Sequence, residues 1–337
     1  MSMNIKVLVT GGAGFVGHHI VEALLKQTGW DVTLIDRLDC SGNLNRLAEI
    51  GAAKNSRVRF IYHDLRAPLN DQLCAQIGAH DFIIHLAAGT HVDRSIENPM
   101  EFVLDNVVAT CNIMDFARKV GCQKFLHFST DEVFGPAPAG VAYKEDARYR
   151  SGNPYAATKA GAEELAVSYH NTFGLPVMVT HTMNVVGERQ HPEKFVPMVI
   201  AKAAAGELVT IHANKARTKA GSRFYIHARH VAEAVLFLLR AGNAGEKYNI
   251  VGEREVDNLE LAQMIADSVG KPLVYELVDF HSSRPGHDLR YALDGGKLAN
   301  MGWTPPQTIN HSIDEIVRWT LKNPQWMVAS VAKAVAA

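Results

Sequence analysis

Little in this chain of 337 residues is present in excess, and its shortages exclude several functional classes. Cysteine is scarce: Cys40, Cys74, Cys111 and Cys122 are the four. None forms a CxxC pair, and their spacing fits neither a zinc site nor a disulfide framework. They read as reduced thiols, which implies a cytoplasmic protein. No apolar run approaches the roughly 18 residues of a membrane helix. The N-terminus runs straight into a strand pattern with no signal-peptide signature, so no membrane partner is expected. Neither charge sign dominates, with 34 Lys and Arg against 35 Asp and Glu. That balance gives no footprint for nucleic acid, although a local basic pocket is still compatible with a small anion. There is no internal repeat and no low-complexity linker. Histidine is plentiful at 16, but HExxH and other ligand spacings are missing, so no metal is expected. His85 and His127 fall in apolar strand patterns and read as core residues.

Hydrophobic residues make up 47% of the chain and charged residues 20%, enough for a sizeable core. The first half alternates short apolar runs with helical patterns. Residues 5–10, 31–36, 58–64, 81–87, 124–130 and 176–187 read as strands. Residues 18–29, ending at Gly29, and roughly 98–119 and 155–173 read as helices. Apolar strands separated by helices predict a parallel sheet covered on both faces. Beyond residue 186 the pattern changes. Helices are expected at 193–206, 230–242, 258–270 and 312–323, a strand at 246–252, and a basic loop at 214–223. The expected fold class is α/β: a Rossmann-type doubly wound parallel sheet with a smaller C-terminal α/β lobe. The division is 1–186 for the sheet domain, with segments near 208–252 returning to it, 187–327 mainly for the lobe, and 328–337 as a tail.

The segment "VLVTGGAGFVGHHIVEAL" sets Gly11, Gly14 and Gly17 between a strand and a helix. Gly11 allows the tight turn, Gly14 lets the backbone approach a pyrophosphate, and Gly17 allows close helix packing. This predicts a dinucleotide. Asp36 ends the second strand, where a carboxylate accepts from an adenosine ribose and repels a 2′-phosphate, favouring NAD over NADP. Arg37, its neighbour, argues the other way. Asp64, after the third strand, is placed to reach the adenine.

"KFLHFSTDEVFG" (124–135) ends a buried strand pattern in Ser129, Thr130, Asp131 and Glu132. Two adjacent carboxylates beside a core are costly unless they work. "NPYAATKAGAEELA" then sets Tyr155 four residues before Lys159, on one helical face. An ammonium and an oxidised nicotinamide nearby would lower the phenol's pKa, making the pair a base toward a substrate hydroxyl.

With these motifs in place the chain resembles the extended short-chain dehydrogenase/reductases, within the NAD-dependent epimerase/dehydratase family. It is most similar to the nucleotide-sugar 4,6-dehydratases of the dTDP-glucose type. The resemblance runs through "TGGAGFVG", "SGNLNRL" (41–47), "HLAAGTHVDRSI" (85–96), "STDEVFG", "YAATK", "HPEKFVP" (191–197), "RPGHDLRYALD" (284–294) and the ending "GWTPP…SIDEIVRWTLKNPQW". It implies a lyase that oxidises a nucleoside-diphosphate hexose at C4, eliminates water across C5 and C6, and returns hydride to C6. Thr130, Asp131, Glu132, Tyr155 and Lys159 would be catalytic. Tyr155 would act at the C4 hydroxyl with Lys159 and Thr130, Glu132 at the C5 proton, and Asp131, held protonated, at the leaving C6 hydroxyl. NAD would lie on Gly11, Gly14, Phe15, Val16, Gly17, Asp36, Arg37, Asn43, Asp64, Leu65, Leu86, Ala87 and Ala88, with Tyr155 and Lys159. His91, Thr130, Asn184, Lys194, Arg223, Arg284 and His287 would hold the substrate. The family also implies a homodimer through the two long helices.

Three departures from the family pattern stand out. Gly89 and Thr90 replace the usual Glu-Ser. "NVVGE" (184–188) replaces Asn-Tyr-Gly-Pro. "HANKARTKAGSR" (212–223) lengthens a short turn and adds Lys215, Arg217 and Lys219. They leave open the nucleobase, with UDP-glucose as the alternative, and the sugar stereochemistry. A nucleotide-sugar 4-epimerase or decarboxylase would share the framework without needing Asp131 and Glu132. A nucleotide sensor would have no use for Tyr155, Lys159 and Thr130.

Overall fold

A computed structural model describes residues 4–39, 41–279 and 289–327. The first part runs β1 (Lys6–Thr10), α1 (Phe15–Gln27), β2 (Asp31–Asp36), α2 (Leu44–Glu49), β3 (Val58–Tyr62), α3 (Asp71–Ile77), β4 (Phe82–His85), α4 (Val92–Glu97), α5 (Pro99–Phe102), α6 (Ala109–Val120), β5 (Lys124–Thr130), α7 (Pro154–Phe173) and β6 (Val177–Thr182). The remainder is β7 (Val185–Val186), α8 (Phe195–Ala205), β8 (Val209–Ala213), β9 (Ser222–Phe224), β10 (Ile226–His227), α9 (Ala228–Ala241), β11 (Lys247–Ile250), β12 (Glu255–Asp257), α10 (Asn258–Val269), β13 (Tyr275–Asp279), α11 (Gly296–Asn300) and α12 (Ile309–Lys322).

The main sheet has seven strands in the order β11-β6-β5-β4-β1-β2-β3. Every pairing in it is parallel. This is the Rossmann-type doubly wound sheet. Its strands are almost continuously apolar because both faces are covered. On one face Ile20, Leu24, Val231, Val235 and Leu239 of α1 and α9 pack on Val7, Val9 and Leu34. On the other, Ile113, Phe116 and Ala166 of α6 and α7 pack on Leu8, Ile83 and Phe125. A separate core joins α8, α10 and α12 through Val199, Ile200, Leu261, Ile265 and Ile316. The two-stranded β8–β13 sheet borders that core, contributing Val209 and Ile211.

Local chemistry moves several boundaries. The first helix begins at Phe15 and stops at Gln27, short of Gly29. Thr28 closes it, its hydroxyl and N–H both donating to Leu24 O at 2.6 and 3.1 Å. The single helix expected over 98–119 is divided. Pro99 starts a new turn after Asn98, and Val103–Val108 is a π-turn before α6 begins. Strand ends are shorter than the apolar runs, as at 176–187, which yields β6 and a separate β7. The basic segment 214–223 is a loop only to residue 221, because Ser222 and Arg223 pair with β12.

Candidate active site

The order of the main sheet reverses between β1 and β4, and a crevice opens outside strand ends at such a switch point. Here it is a cavity of about 390 Å³. Gly11, Gly14, Phe15, Val16 and Gly17 form part of its wall. Gly11 adopts φ +71°, and a Cβ there would stand 2.9 Å from Ala87 N. A Cβ on Gly17 would stand 2.1 Å from Gly11 O. The turn therefore tolerates only glycine, which leaves its backbone open to a ligand. The first N–H groups of α1 have no intrahelical acceptor and suit a pyrophosphate. Arg46 braces the turn from below, donating to Ala13 O at 3.1 Å and Ser41 O at 2.6 Å. These residues fit a bound dinucleotide.

At one end of the cavity lie Asp36, Arg37, Asp64, Leu65, Leu86, Ala87 and Ala88. The Asp36 carboxylate accepts from Ala13 N at 3.0 Å and Leu38 N at 2.8 Å. Burial raises its pKa against those bonds. Arg37 is held by carboxylates: Asp105 at 2.5 and 2.7 Å, and Asp39 at 2.9 and 2.7 Å. Asn43 is not on the wall. It caps α2 by accepting from Asn45 N, and its own N–H donates to Ala13 O.

The other end holds Thr130, Asp131, Glu132, Tyr155 and Lys159, brought together by the end of β5 and the start of α7. Asn153 fixes that start, its side chain accepting from Ala156 N at 2.8 Å before Pro154 opens the helix. The same side chain donates to Glu132 Oε2 at 3.1 Å. The Thr130 hydroxyl donates to Asp131 Oδ1 at 3.0 Å and accepts from Glu132 N at 3.4 Å. Asp131 Oδ2, Ser129 Oγ and Thr182 Oγ1 are buried without a hydrogen-bond partner among the described residues. All three residues line the cavity.

Burial dominates the electrostatics here. It raises Asp131 to about 6 and, with help from the Asp131 charge, Glu132 to about 7. Both acids are displaced upward, so burial does not single out Asp131 as the one kept neutral. Burial lowers Lys159 to about 8, opposed by the charge of Glu163. Tyr155 is pushed above the usual phenol range by burial and then by Glu132. The expected lowering involves an oxidised nicotinamide together with the lysine, and the protein groups alone push the phenol upward. The Lys159 ammonium donates to Phe128 O, and the two neighbouring acids oppose a phenolate.

The expected substrate residues are spread out. Asn184 and Lys194 line the same cavity. His91 lies on an adjoining cavity with Gly89, Thr90 and Arg94. Arg223 is on neither wall. Its guanidinium donates to Ser222 O and Leu289 O and stacks 4.6 Å from the Tyr291 ring. Its charge still lowers both active-site acids. Arg284 and His287 lie outside the described residues.

Sequence reasoning passed over several residues. Arg46 carried a signal, its place in "SGNLNRL". Ser95, which accepts from Tyr155 N at 3.1 Å, lies in the quoted "HVDRSI". Glu163 had a weaker one, lying four residues beyond Lys159 on the same helical stripe. It is fully buried, bonded to His181 Nε2 at 2.9 and 3.0 Å and paired with Lys247 at 2.8 Å.

A family model described as GDP-mannose 4,6 dehydratase matches residues 8–316. The dTDP-glucose 4,6-dehydratase of Escherichia coli is 36% identical over 352 residues, covering 95% of each chain. The chain belongs to the nucleotide-sugar 4,6-dehydratase family. Among solved dehydratases, that of Streptomyces venezuelae, a dTDP-glucose 4,6-dehydratase with NAD bound, superposes with a TM-score of 0.87 at 35% identity. The match covers 96% of this chain and 98% of that one. The fold is shared with relatives of other activity. A Thermus thermophilus UDP-glucose 4-epimerase with NAD gives a TM-score of 0.83 at 29% identity, covering 93% and 98%. What this dehydratase-family chain carries at the end of β5 is the Thr130-Asp131-Glu132 triplet.

Proposed function

We propose that the protein is an NAD-dependent lyase that dehydrates a nucleoside-diphosphate hexose, dTDP-glucose foremost, to the 4-keto-6-deoxy sugar. One observation carries this reading: two adjacent acids, Asp131 buried and Glu132 part-buried, share a cavity with Tyr155 and Lys159. Bound NAD supplies a reversible hydride acceptor that takes hydride from C4 and returns it to C6, with no net redox change.

The residues divide the remaining work. Tyr155 accepts the C4 hydroxyl proton while Thr130 hydrogen-bonds the same oxygen. Lys159, fixed by the Phe128 carbonyl, supplies the positive charge that favours the phenolate. A ketone at C4 makes the C5 proton acidic. Glu132, anchored at one oxygen by Asn153, removes that proton. Asp131 donates from Oδ2, the oxygen that Thr130 leaves unused, to the departing C6 hydroxyl. The C6 hydroxyl leaves as water with the Asp131 proton, and Glu132 returns its proton to C5 as hydride reaches C6. The proton that Tyr155 took from the C4 hydroxyl replaces the one lost by Asp131 through solvent. These roles rest on which oxygens are already engaged, because the resting pKa order does not assign them. The guanidinium of Arg223, the Lys194 ammonium and the Asn184 amide are the proposed contacts to the diphosphate sugar. His91, Arg284 and His287 are assigned to the same substrate by family resemblance. Asp36 supports NAD as the dinucleotide.

Residues 1–186, with segments near 208–252, are proposed as the NAD domain, and β11 at the edge of the main sheet supports this. Residues 187–327 are proposed mainly as the substrate lobe, with a core of their own. A homodimer through α5–α7 is proposed on family resemblance, and the exposure of Met100, Leu104 and Phe173 supports it. A cytoplasmic location is proposed, and the free thiols of Cys74, Cys111 and Cys122 support it. No helix among the described residues is long and apolar enough to cross a membrane.

The test is incubation with dTDP-glucose and, separately, UDP-glucose, with products identified by mass and NMR. The expected product is a 4-keto-6-deoxy sugar, formed faster from dTDP-glucose. Recovery of only the C4 epimer would replace this reading with the epimerase.

A further inference from the structure

The charges around Arg37 take no part in the steps above. In dinucleotide sites an arginine near the end of the second strand can accommodate the 2′-phosphate that distinguishes NADP from NAD. Arg37 occupies that place, directly after Asp36. Here, however, its guanidinium is already spoken for. Asp105 takes Nη1 and Nη2 at 2.5 and 2.7 Å, and Asp39 takes Nε and Nη2 at 2.9 and 2.7 Å. Asp64 stands 3.6 Å away and is also paired with Arg66. A bidentate carboxylate is the partner that a guanidinium fork fits best.

Asp105 reaches Arg37 from the π-turn Val103–Val108. Its Oδ2 lies 3.2 Å from the point that a Cβ on residue 89 would occupy, and Phe102 lies 3.1 Å from the same point. Gly89 is held in place by Asn106, which accepts from its N–H at 2.7 Å and donates to its carbonyl at 3.2 Å. The glycine that replaces the usual glutamate thus leaves the room that the Asp105 carboxylate fills. Around this end of the cavity Asp36, Asp39, Asp64 and Asp105 stand with Arg37, Arg46 and Arg66, four acids against three arginines.

We infer that Asp105, seated in the space left by Gly89, is a specificity-determining residue that occupies Arg37 and so denies the site NADP. The inference rests on the dinucleotide reading above. A 2′-phosphate arriving here meets excess negative charge and an arginine whose fork is already filled. Removing the Asp105 charge frees that fork and lowers the local negative charge by one.

The test is equilibrium binding of NAD⁺ and NADP⁺ to the full-length protein freed of bound nucleotide, followed by calorimetry. Asp105→Asn is expected to improve NADP⁺ affinity relative to NAD⁺ by about tenfold, the worth of one charge-assisted contact. Asp39→Asn should move the ratio in the same direction by less. Adding Arg37→Met to Asp105→Asn should erase the gain. An unchanged ratio in Asp105→Asn that still binds NAD⁺, or a gain that survives Arg37→Met, would overturn the inference. If Asp105→Asn binds neither nucleotide, Asp39→Asn decides, and no gain there would overturn it equally. Wild-type protein that binds neither nucleotide would overturn the dinucleotide reading itself, a separate failure.

Discussion

The two ends of the cavity treat acids in opposite ways. Around the end of β2, Asp39 and Asp64 are paired to excess, although burial raises Asp36 itself. Asp39 and Asp64 are both held below the usual range against burial, Asp39 by the Ser41 N–H and Arg37, and Asp64 by Arg66. At the end of β5, Asp131 is buried with one oxygen unpartnered and Glu132 is part-buried beside it, and both are raised. The difference separates anchoring from chemistry. A paired carboxylate fixes a shape and stays ionised, whereas an underpaired one near neutrality can give or take a proton. A third acid, Glu163, shows the first regime within the same helix as Lys159. It is buried as deeply as Asp131, yet His181 and Lys247 hold it well below the carboxylate range.

The strongest way to break the comparison is to remove the base. Glu132→Gln should lower turnover by about a thousandfold, within the range for a general base. Oxidation at C4 should survive, seen as a rise in reduced-nicotinamide absorbance on mixing with substrate. Normal turnover would remove Glu132 from the mechanism. Next in size, Glu163→Gln strands His181 and Lys247 in the core. It should cost about 3 kcal/mol in denaturant unfolding, as expected for a broken buried pair. That cost should shrink on acidification, because the wild type then loses the same pair.

A smaller effect has the opposite sign. Glu132 is raised to about 7 from an unfolded value of about 4.3. The folded state therefore binds this proton more tightly than the unfolded state. The stability it contributes is full below about pH 4 and is lost as pH rises to about 7. Glu132→Gln should accordingly be more stable than wild type at about pH 8, by on the order of 1–2 kcal/mol, and the gap should close near pH 4. In turnover, the same ionisation should appear as a loss of activity as pH falls through about 7. The smallest effect belongs to exposed pairs. Arg254→Ala, which breaks a surface contact to Glu260 at 2.8 Å, should change stability by less than about 0.5 kcal/mol.

Much of this was legible in the sequence because the relevant signals are local. The glycine spacing after β1 requires a tight turn whatever surrounds it. The apolar strands and the Tyr155–Lys159 spacing likewise declare themselves within one element. Boundaries set by side chains were harder. Thr28 rather than Gly29 ends α1, and nothing in the hydrophobic period marks the π-turn that carries Asp105. Strands β8 and β13 were not foreseen, since a two-stranded sheet at the lobe edge leaves only short, half-exposed patterns. The site residues that escaped notice act across the fold. Arg46 reaches back to Ala13, and Glu163 depends on β6 and β11 to supply its partners. The departure at Gly89 was visible as a missing side chain, but its counterpart at Asp105 becomes visible only once the two stand side by side.

In the proposed reaction one cavity oxidises C4, eliminates water across C5 and C6, and reduces C6 in a single enclosed sequence. Turnover of dTDP-glucose deuterated at C4 tests it most directly, with the label located in the product by NMR. Deuterium is expected at C6 of a 4-keto-6-deoxy sugar, transferred within one molecule. Deuterium retained at C4 of an epimer, or lost to solvent, would contradict it.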